Sequence, residues 1–174
     1  LHGLFAERLA PHALRLCQLQ MLRVMPEPGF RLPGSVMADL SLVRYHGYSQ
    51  LPEAAPLLEQ IQREEGESLA HGIHLIVVQS ADGSLVVGDS HHYGAAPEPF
   101  ASEHVDTLIL RHLRETLRLR EATVTARWVG TYPSSPDTDC LIDAPDDATR
   151  VVLVTSGTGA STAFGIAEEV FAGW

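Results

Sequence analysis

The chain has 174 residues, with 12 basic and 22 acidic side chains, a net charge of −10, and Arg at every basic position. The lack of Lys excludes Schiff-base, P-loop and lysine-base chemistry, and the acidic balance argues against an electrostatic nucleic-acid binder. No run approaches the ~18 apolar residues of a membrane span, and no charged n-region leads into an apolar run at the N-terminus. Two cysteines, Cys17 and Cys140, make no disulfide framework, so reduced thiols and a cytoplasmic location are expected. The apolar content of 45% is that of a foldable globular chain. The sequence opens on Leu1 rather than Met, and 1–15 reads as the interior of a longer protein.

Leu4–Leu9 is a short amphipathic stretch ended by Pro11, and Leu16–Met25 reads as a strand stopped by Pro26–Gly29. Phe30–Met37 reads as loop, and Ala38–Tyr45 alternates as a second strand. Glu53–Glu67 has helical spacing, with Leu57, Leu58 and Ile61 on one side and Pro52 and Pro56 near its first turn. His74–Gln79 and Ser84–Asp89, joined through Asp82-Gly83, form the strongest hairpin signal. A loop, His91–Phe100, precedes a helix over Val105–Leu117 and a strand over Ala122–Trp128. Thr131–Pro145 reads as loop, Arg150–Ser156 as a strand buried on both faces, and Ser161–Ala172 as a helix after Gly157-Thr158-Gly159. The fold class expected is α+β: a mixed, largely antiparallel sheet with helices on one face over 16–132, followed by one β–turn–α unit of α/β type.

Four places could carry chemistry. Where Val151–Ser156 turns through Gly157, Thr158 and Gly159 into Ala160, Ser161 and Thr162, free N–H groups and a positive helix end suit an anion or developing negative charge. The same pattern also serves an ordinary strand–helix turn, and it lacks the third glycine of a dinucleotide fingerprint. Asp89, His91, His92 and Tyr93 form a polar cluster at a strand end, readable as a solvated loop or a substrate-contacting one. A metal reading would add His74, but adjacent histidines on a regular strand face opposite ways, and no metal is expected. Arg44 and Tyr45 could clamp a carboxylate or phosphonate, or be a surface Arg with aromatic packing. Arg127–Asp137 could wall a flat ligand or form a packed junction. Ser161 lies in no nucleophile elbow; the cysteines read as packed or incidental, and His2, His12, His71, His104 and His112 as surface residues.

The order of these pieces is informative. A mixed-sheet region, then Arg127-Trp128-Val129-Gly130-Thr131-Tyr132-Pro133-Ser134-Ser135-Pro136-Asp137, then Ser156-Gly157-Thr158-Gly159-Ala160-Ser161-Thr162 and a helix bearing Ala167-Glu168-Glu169-Val170, resembles the C-terminal part of the D-amino-acid oxidase, glycine oxidase and sarcosine oxidase group of FAD enzymes. Cys17–Arg23, Leu42–His46, Gly72-Ile73-His74 and Gly88-Asp89-Ser90-His91 resemble a branch associated with aminophosphonate breakdown. The resemblance covers nearly the whole chain. It implies that 1–15 ends a first FAD-domain segment, 16–133 is a substrate domain, and 134–174 returns to complete an α/β FAD-binding domain.

The resemblance further implies oxidation of a small anionic amine by hydride transfer to flavin, with O2 or another electron acceptor downstream. Gly157, Thr158, Gly159, Ala160, Ser161 and Thr162 would face the flavin pyrimidine edge. Gly130 stands where sarcosine oxidases carry the cysteine that attaches FAD, so FAD would be non-covalent. Ser161 stands where those enzymes carry a carboxylate-binding lysine, which disfavours a simple sarcosine-like substrate. Arg44, Tyr45, His91 and Tyr132 are the substrate-site candidates. The half that cradles the pyrophosphate is absent from the sequence, so this chain alone would hold no FAD and turn nothing over. A homo-oligomer is compatible with all of this. The competing expectation is a non-enzymatic binding or oligomerisation domain with a His-rich metal site.

Overall fold

The computed structural model describes residues 3–174; Leu1 and His2, with their sequence reading, lie outside the described residues. The elements run α1 (Ala6–Leu9), β1 (Arg15–Pro26), β2 (Val36–Met37), a 3-10 turn (Asp39–Ser41), α2 (His46–Ser49), α3 (Ala54–Glu64), α4 (Gly66–Ala70), β3 (Ile76–Gln79), β4 (Leu85–Gly88), β5 (His92–Gly94), α5 (Glu103–Thr116), β6 (Ala122–Ser134), β7 (Cys140–Asp146), β8 (Thr149–Val154) and α6 (Gly159–Ala172). The larger sheet has the order β2-β3-β4-β1-β5, with β6 also paired to β1, and its registered pairs are antiparallel. The α+β class expected from sequence is thus the observed one.

The chain divides into two compact units. The larger comprises 18–92 and 98–130. Its core joins Leu22 and Val24 of β1, Val77 of β3, and Leu85 and Val87 of β4 to Val105, Leu108, Ile109 and Leu113 of α5. That 105/108/109/113 stripe is the i, i+3, i+4 pattern of a helix with one apolar face. Ser102 caps α5 by accepting from the Val105 N–H, and Glu103 and Asp106 lie in the first turn, where negative charge is favoured. The β3–β4 hairpin closes as Asp82-Gly83 dictates, with Gly83 at φ +87° and the Ser80 N–H donating to the Ser84 carbonyl.

Three sequence expectations fail in this unit. Ala38–Tyr45 is not a strand. The Asp39 side chain accepts from the Leu40 N–H, and Ser41 N–H to Ala38 and Leu42 N–H to Asp39 bonds wind the segment into a turn that buries Leu40 and Ser41. The helix expected over Glu53–Glu67 breaks at Glu65, which leaves helical backbone geometry at φ −131°, ψ 30° and gives its carboxylate to Arg111. The expected loop Phe30–Met37 ends in the short strand β2, held by Val36↔Val77.

Of the described residues, the smaller unit comprises 3–17, 93–97 and 131–174. The expected loops were too long: His91–Phe100 contains β5, and Thr131–Pro145 contains the end of β6 and most of β7. β7 is a strand because β8 pairs with it, Cys140↔Val154 through Asp143↔Val151, with an irregularity before Asp146↔Thr149. β8 is not buried on both faces; Val152 is 40% exposed in a two-stranded sheet. An unbroken apolar run carries no period from which to read which face is covered. Gly159 brings α6 against β8, since a Cβ there would lie 3.4 Å from Val154 Cγ1. Arg8 holds Asp143 through both carboxylate oxygens. No helix among the described residues is long and apolar enough to cross a membrane.

Candidate active site

In the larger unit the hairpin exit, the segment entering β3 and the turn after β2 assemble a polar cluster. His74 precedes β3 and Asp89 follows β4. They exchange backbone hydrogen bonds in both directions, at 3.1 and 3.0 Å. Continuing the ladder from Ile76↔Gly88 would set Leu75, not His74, opposite Asp89, so the register slips by one residue here. The slip places the His74 Nε2 2.9 Å from Asp89 Oδ1 and 3.4 Å from His91 Nε2. The two imidazoles stack at a centroid distance of 4.5 Å. Both outer ring nitrogens are tied to the protein: His74 Nδ1 to Ser41 Oγ at 3.2 Å, and His91 Nδ1 to the Gly72 carbonyl at 3.0 Å. A carbonyl only accepts, so His91 carries its proton on Nδ1 and leaves a lone pair on Nε2. Asp89 Oδ1 is buried without a hydrogen bond of good angle.

Gly72 permits this approach. It has φ +59°, and a Cβ there would lie 2.7 Å from the His91 carbonyl oxygen. The neighbouring His71 carbonyl accepts from the His91 N–H at 3.1 Å, so this backbone is laced to His91 twice.

The turn after β2 supplies Tyr45 and Arg44. The Tyr45 ring meets His74 edge-on at 5.3 Å. Burial, and then the Asp89 carboxylate, push its phenol up, so it remains a hydrogen-bond donor at neutral pH. Burial pushes His91 down to about 3; the Arg44 and His74 charges act in the same sense, against the pull of Asp89. His91 is therefore a neutral acceptor beside a guanidinium. The structure thus brings Arg44, Tyr45 and His91 together around His74 and Asp89. Sequence reasoning reached His74 only as an added member of a metal set; the Gly72-Ile73-His74 triplet at the hairpin entry was its visible signal.

His92 takes the opposite side, as strand alternation requires. Its Nε2 lies 3.2 Å from His71 Nδ1, with His104 packed on His71, and burial followed by His71 lowers its pKa. His71 and His92 face a separate cavity of about 180 Å³, walled by Gln20, Phe100 and Val129 and reached by neither Arg44 nor Tyr45. His112, expected at the surface, is buried, with its Nε2 2.8 Å from Ser68 Oγ. Cys17 is buried and Cys140 half-buried, and neither is in a disulfide.

The remaining candidates divide between the units. Gly130 belongs to the larger one. In the smaller, a Cβ on Gly157 would lie 3.9 Å from Tyr132 Oη, so that hydroxyl borders the turn leading into α6. Thr158 caps α6 with its backbone only; its Oγ1 engages Ser156 Oγ at 2.7 Å. The Ser161 and Thr162 hydroxyls donate back to the Thr158 carbonyl. Gly157, Ala160, Ser161 and Thr162 are exposed, and no acidic residue occupies the first turn of α6. This turn presents N–H donors and positive helix charge, with no acidic side chain in the helix's own first turn, which fits the electron-rich edge of a flavin ring. Nothing in the 174 residues matches the glycine fingerprint that cradles a dinucleotide pyrophosphate.

A comparison with curated proteins finds no relative. The profile of the FAD dependent oxidoreductase family, DAO, matches residues 16–172, which takes in both the Arg44–His74–Asp89–His91 cluster and the Gly157 turn, and the chain belongs to that family.

Proposed function

We propose that this chain forms the substrate-binding part of an FAD-dependent oxidoreductase that oxidatively deaminates a small anionic amine, either an amino acid or an aminophosphonate. The observation that carries the reading is the meeting of Arg44, Tyr45 and neutral His91 in one polar cluster. Arg44 supplies a planar fork for a carboxylate or phosphonate. Tyr45 adds a phenolic donor, and neutral His91 adds no competing positive charge beside them. When bound, FAD supplies the hydride acceptor for the carbon bearing the amine, and O2 or another acceptor takes the electrons onward. Gly157 to Thr162 are proposed to offer N–H groups to the ring edge where negative charge accumulates, and Gly130 leaves the attachment non-covalent. On this reading 16–133 is the substrate domain, and 134–174 belongs with an FAD-binding domain that other sequence completes.

The test is anaerobic flavin bleaching of the flavin-loaded protein, carrying the sequence that completes its FAD-binding domain, by amino acids, N-methyl amino acids and aminophosphonates. Bleaching by an anionic amine is expected. Losing a hydrogen bond to a charged group costs about 1.5–3 kcal/mol, so Arg44→Ala should raise KM for that substrate by roughly 10- to 150-fold. An unchanged KM would remove Arg44 from the site; no bleaching by any of the three classes would remove the amine.

A further inference from the structure

We propose that His74, Asp89 and His91 form a binding site for one divalent transition-metal ion, zinc or ferrous iron by ligand chemistry. This goes beyond the oxidoreductase reading and does not rest on it. The three side chains each offer a ligand atom, and these atoms lie within 4.8 Å of one another. Their separations are 2.9 Å for His74 Nε2 to Asp89 Oδ1, 3.4 Å between the two Nε2 atoms, and 3.7 Å for His91 Nε2 to Asp89 Oδ2. Ligands about 2.05 Å from a tetrahedral centre stand about 3.3 Å from one another. These separations, taken over both Asp89 oxygens, straddle that edge, and with a single oxygen taken for Asp89 the three ligand atoms stay within 4.8 Å before any ion draws them in.

The surroundings match as well as the distances. Histidine ligands are normally oriented by a hydrogen bond at the other ring nitrogen, and both Nδ1 atoms are so held, by Ser41 Oγ and the Gly72 carbonyl. The Asp89 Oδ1 is buried without a well-angled donor, although burying a carboxylate costs free energy unless a donor or cation compensates it. Two nitrogens and one carboxylate oxygen leave a fourth position open, the composition of the 2-His-1-carboxylate sites. The rings now tilt by 25°, so one must turn for both lone pairs to converge. Arg44 acts electrostatically on His91, so its charge opposes the ion. An anion between the two cations would relieve that repulsion.

The experiment takes the 174-residue chain after chelator treatment and titrates it with Co2+, followed by visible absorption and elemental analysis, then repeats with Zn2+. The expected result is one ion per chain. His74→Ala, His91→Ala and Asp89→Asn should each weaken binding on the order of tenfold or more, and Arg44→Gln should strengthen it. The double variant His71→Ala/His92→Ala, which removes the other histidine pair, should leave it unchanged. Should the alanine variants lose their far-UV circular dichroism, Co2+-shifted imidazole resonances in the unaltered chain replace them, with His74 and His91 expected to shift and His71 and His92 not. No bound ion would overturn the proposal, as would binding that survives loss of His74 and His91 or disappears with His71 and His92. No flavin takes part, so this failure is distinct from failure of the amine-oxidising reading.

Discussion

Replacing Gly72 by Ala should break the cluster from behind, and its cost follows from the local geometry. An L-residue in left-handed backbone such as φ +59° pays about 1–2 kcal/mol. The new methyl would also lie 2.7 Å from the His91 carbonyl oxygen and 2.9 Å from its Cβ. The first contact is with backbone, so rotating a side chain cannot relieve it. The two segments must part, stretching the His91 N–H bond to His71 and the His91 Nδ1–H bond to Gly72, each worth about 1 kcal/mol. The expected loss is about 2–4 kcal/mol, read as a lower urea midpoint at unchanged slope. The His91 imidazole resonances should move with it. Gly165, in the middle of α6, is the control. A Cβ there meets nothing within 4 Å, so Gly165→Ala should stabilise by up to about 1 kcal/mol. If Gly72→Ala is as stable as the parent, or loses stability with the His91 resonances in place, the claim that Gly72 exists for His91 is wrong.

Two more predictions concern buried polar groups of the larger unit. The Asp106 carboxylate accepts from Arg127 Nε at 2.6 Å and from the Gln20 amide, and both Asp106 and Gln20 are buried. Asp106→Ala leaves the Gln20 amide with the Ser102 carbonyl as its one acceptor and should cost about 1–3 kcal/mol. Arg127→Ala should cost less, because its side chain is 53% exposed and water already shares its charge; equal losses in chemical denaturation would contradict this. Burial, the largest influence, lowers the pKa of His112 despite Glu65 and Glu115 nearby. The unfolded chain therefore binds this proton more readily than the folded one, and stability falls as pH drops through and below about 6.5. His112→Gln should flatten that part of the stability profile; a curve parallel to the parent's would show that His112 takes up its proton equally in the folded and unfolded chain.

What the sequence made legible follows from which interactions are local. The β3–β4 hairpin was readable because Asp82-Gly83 fixes its own turn, and α5 because its stripe and its Ser102 cap lie within one helix length. Ala38–Tyr45 misled because Leu40 and Leu42 alternate in a turn as readily as in a strand, while the deciding Asp39 bond is a single side-chain event. β7 was invisible because Cys140–Asp146 owes its extension to its partner β8. The site shows the same division. Arg44, Tyr45 and His91 announced themselves by residue type at strand and turn ends, and strand alternation correctly sent His92 away from His91. His74 did not stand out, because its place beside Asp89 depends on a one-residue slip past Ile76↔Gly88. With regular pairing, His74 would oppose Ser90, and the cluster would lose the contact that sets its nitrogen 2.9 Å from the carboxylate. The slip is held from outside the hairpin, by Gly72 backing His91 and by Ser41 fixing the His74 ring. Those two residues lie 31 positions apart in the sequence, so no window scaled to a strand or a turn contains both, and the chemistry of this corner is a property of the closed fold.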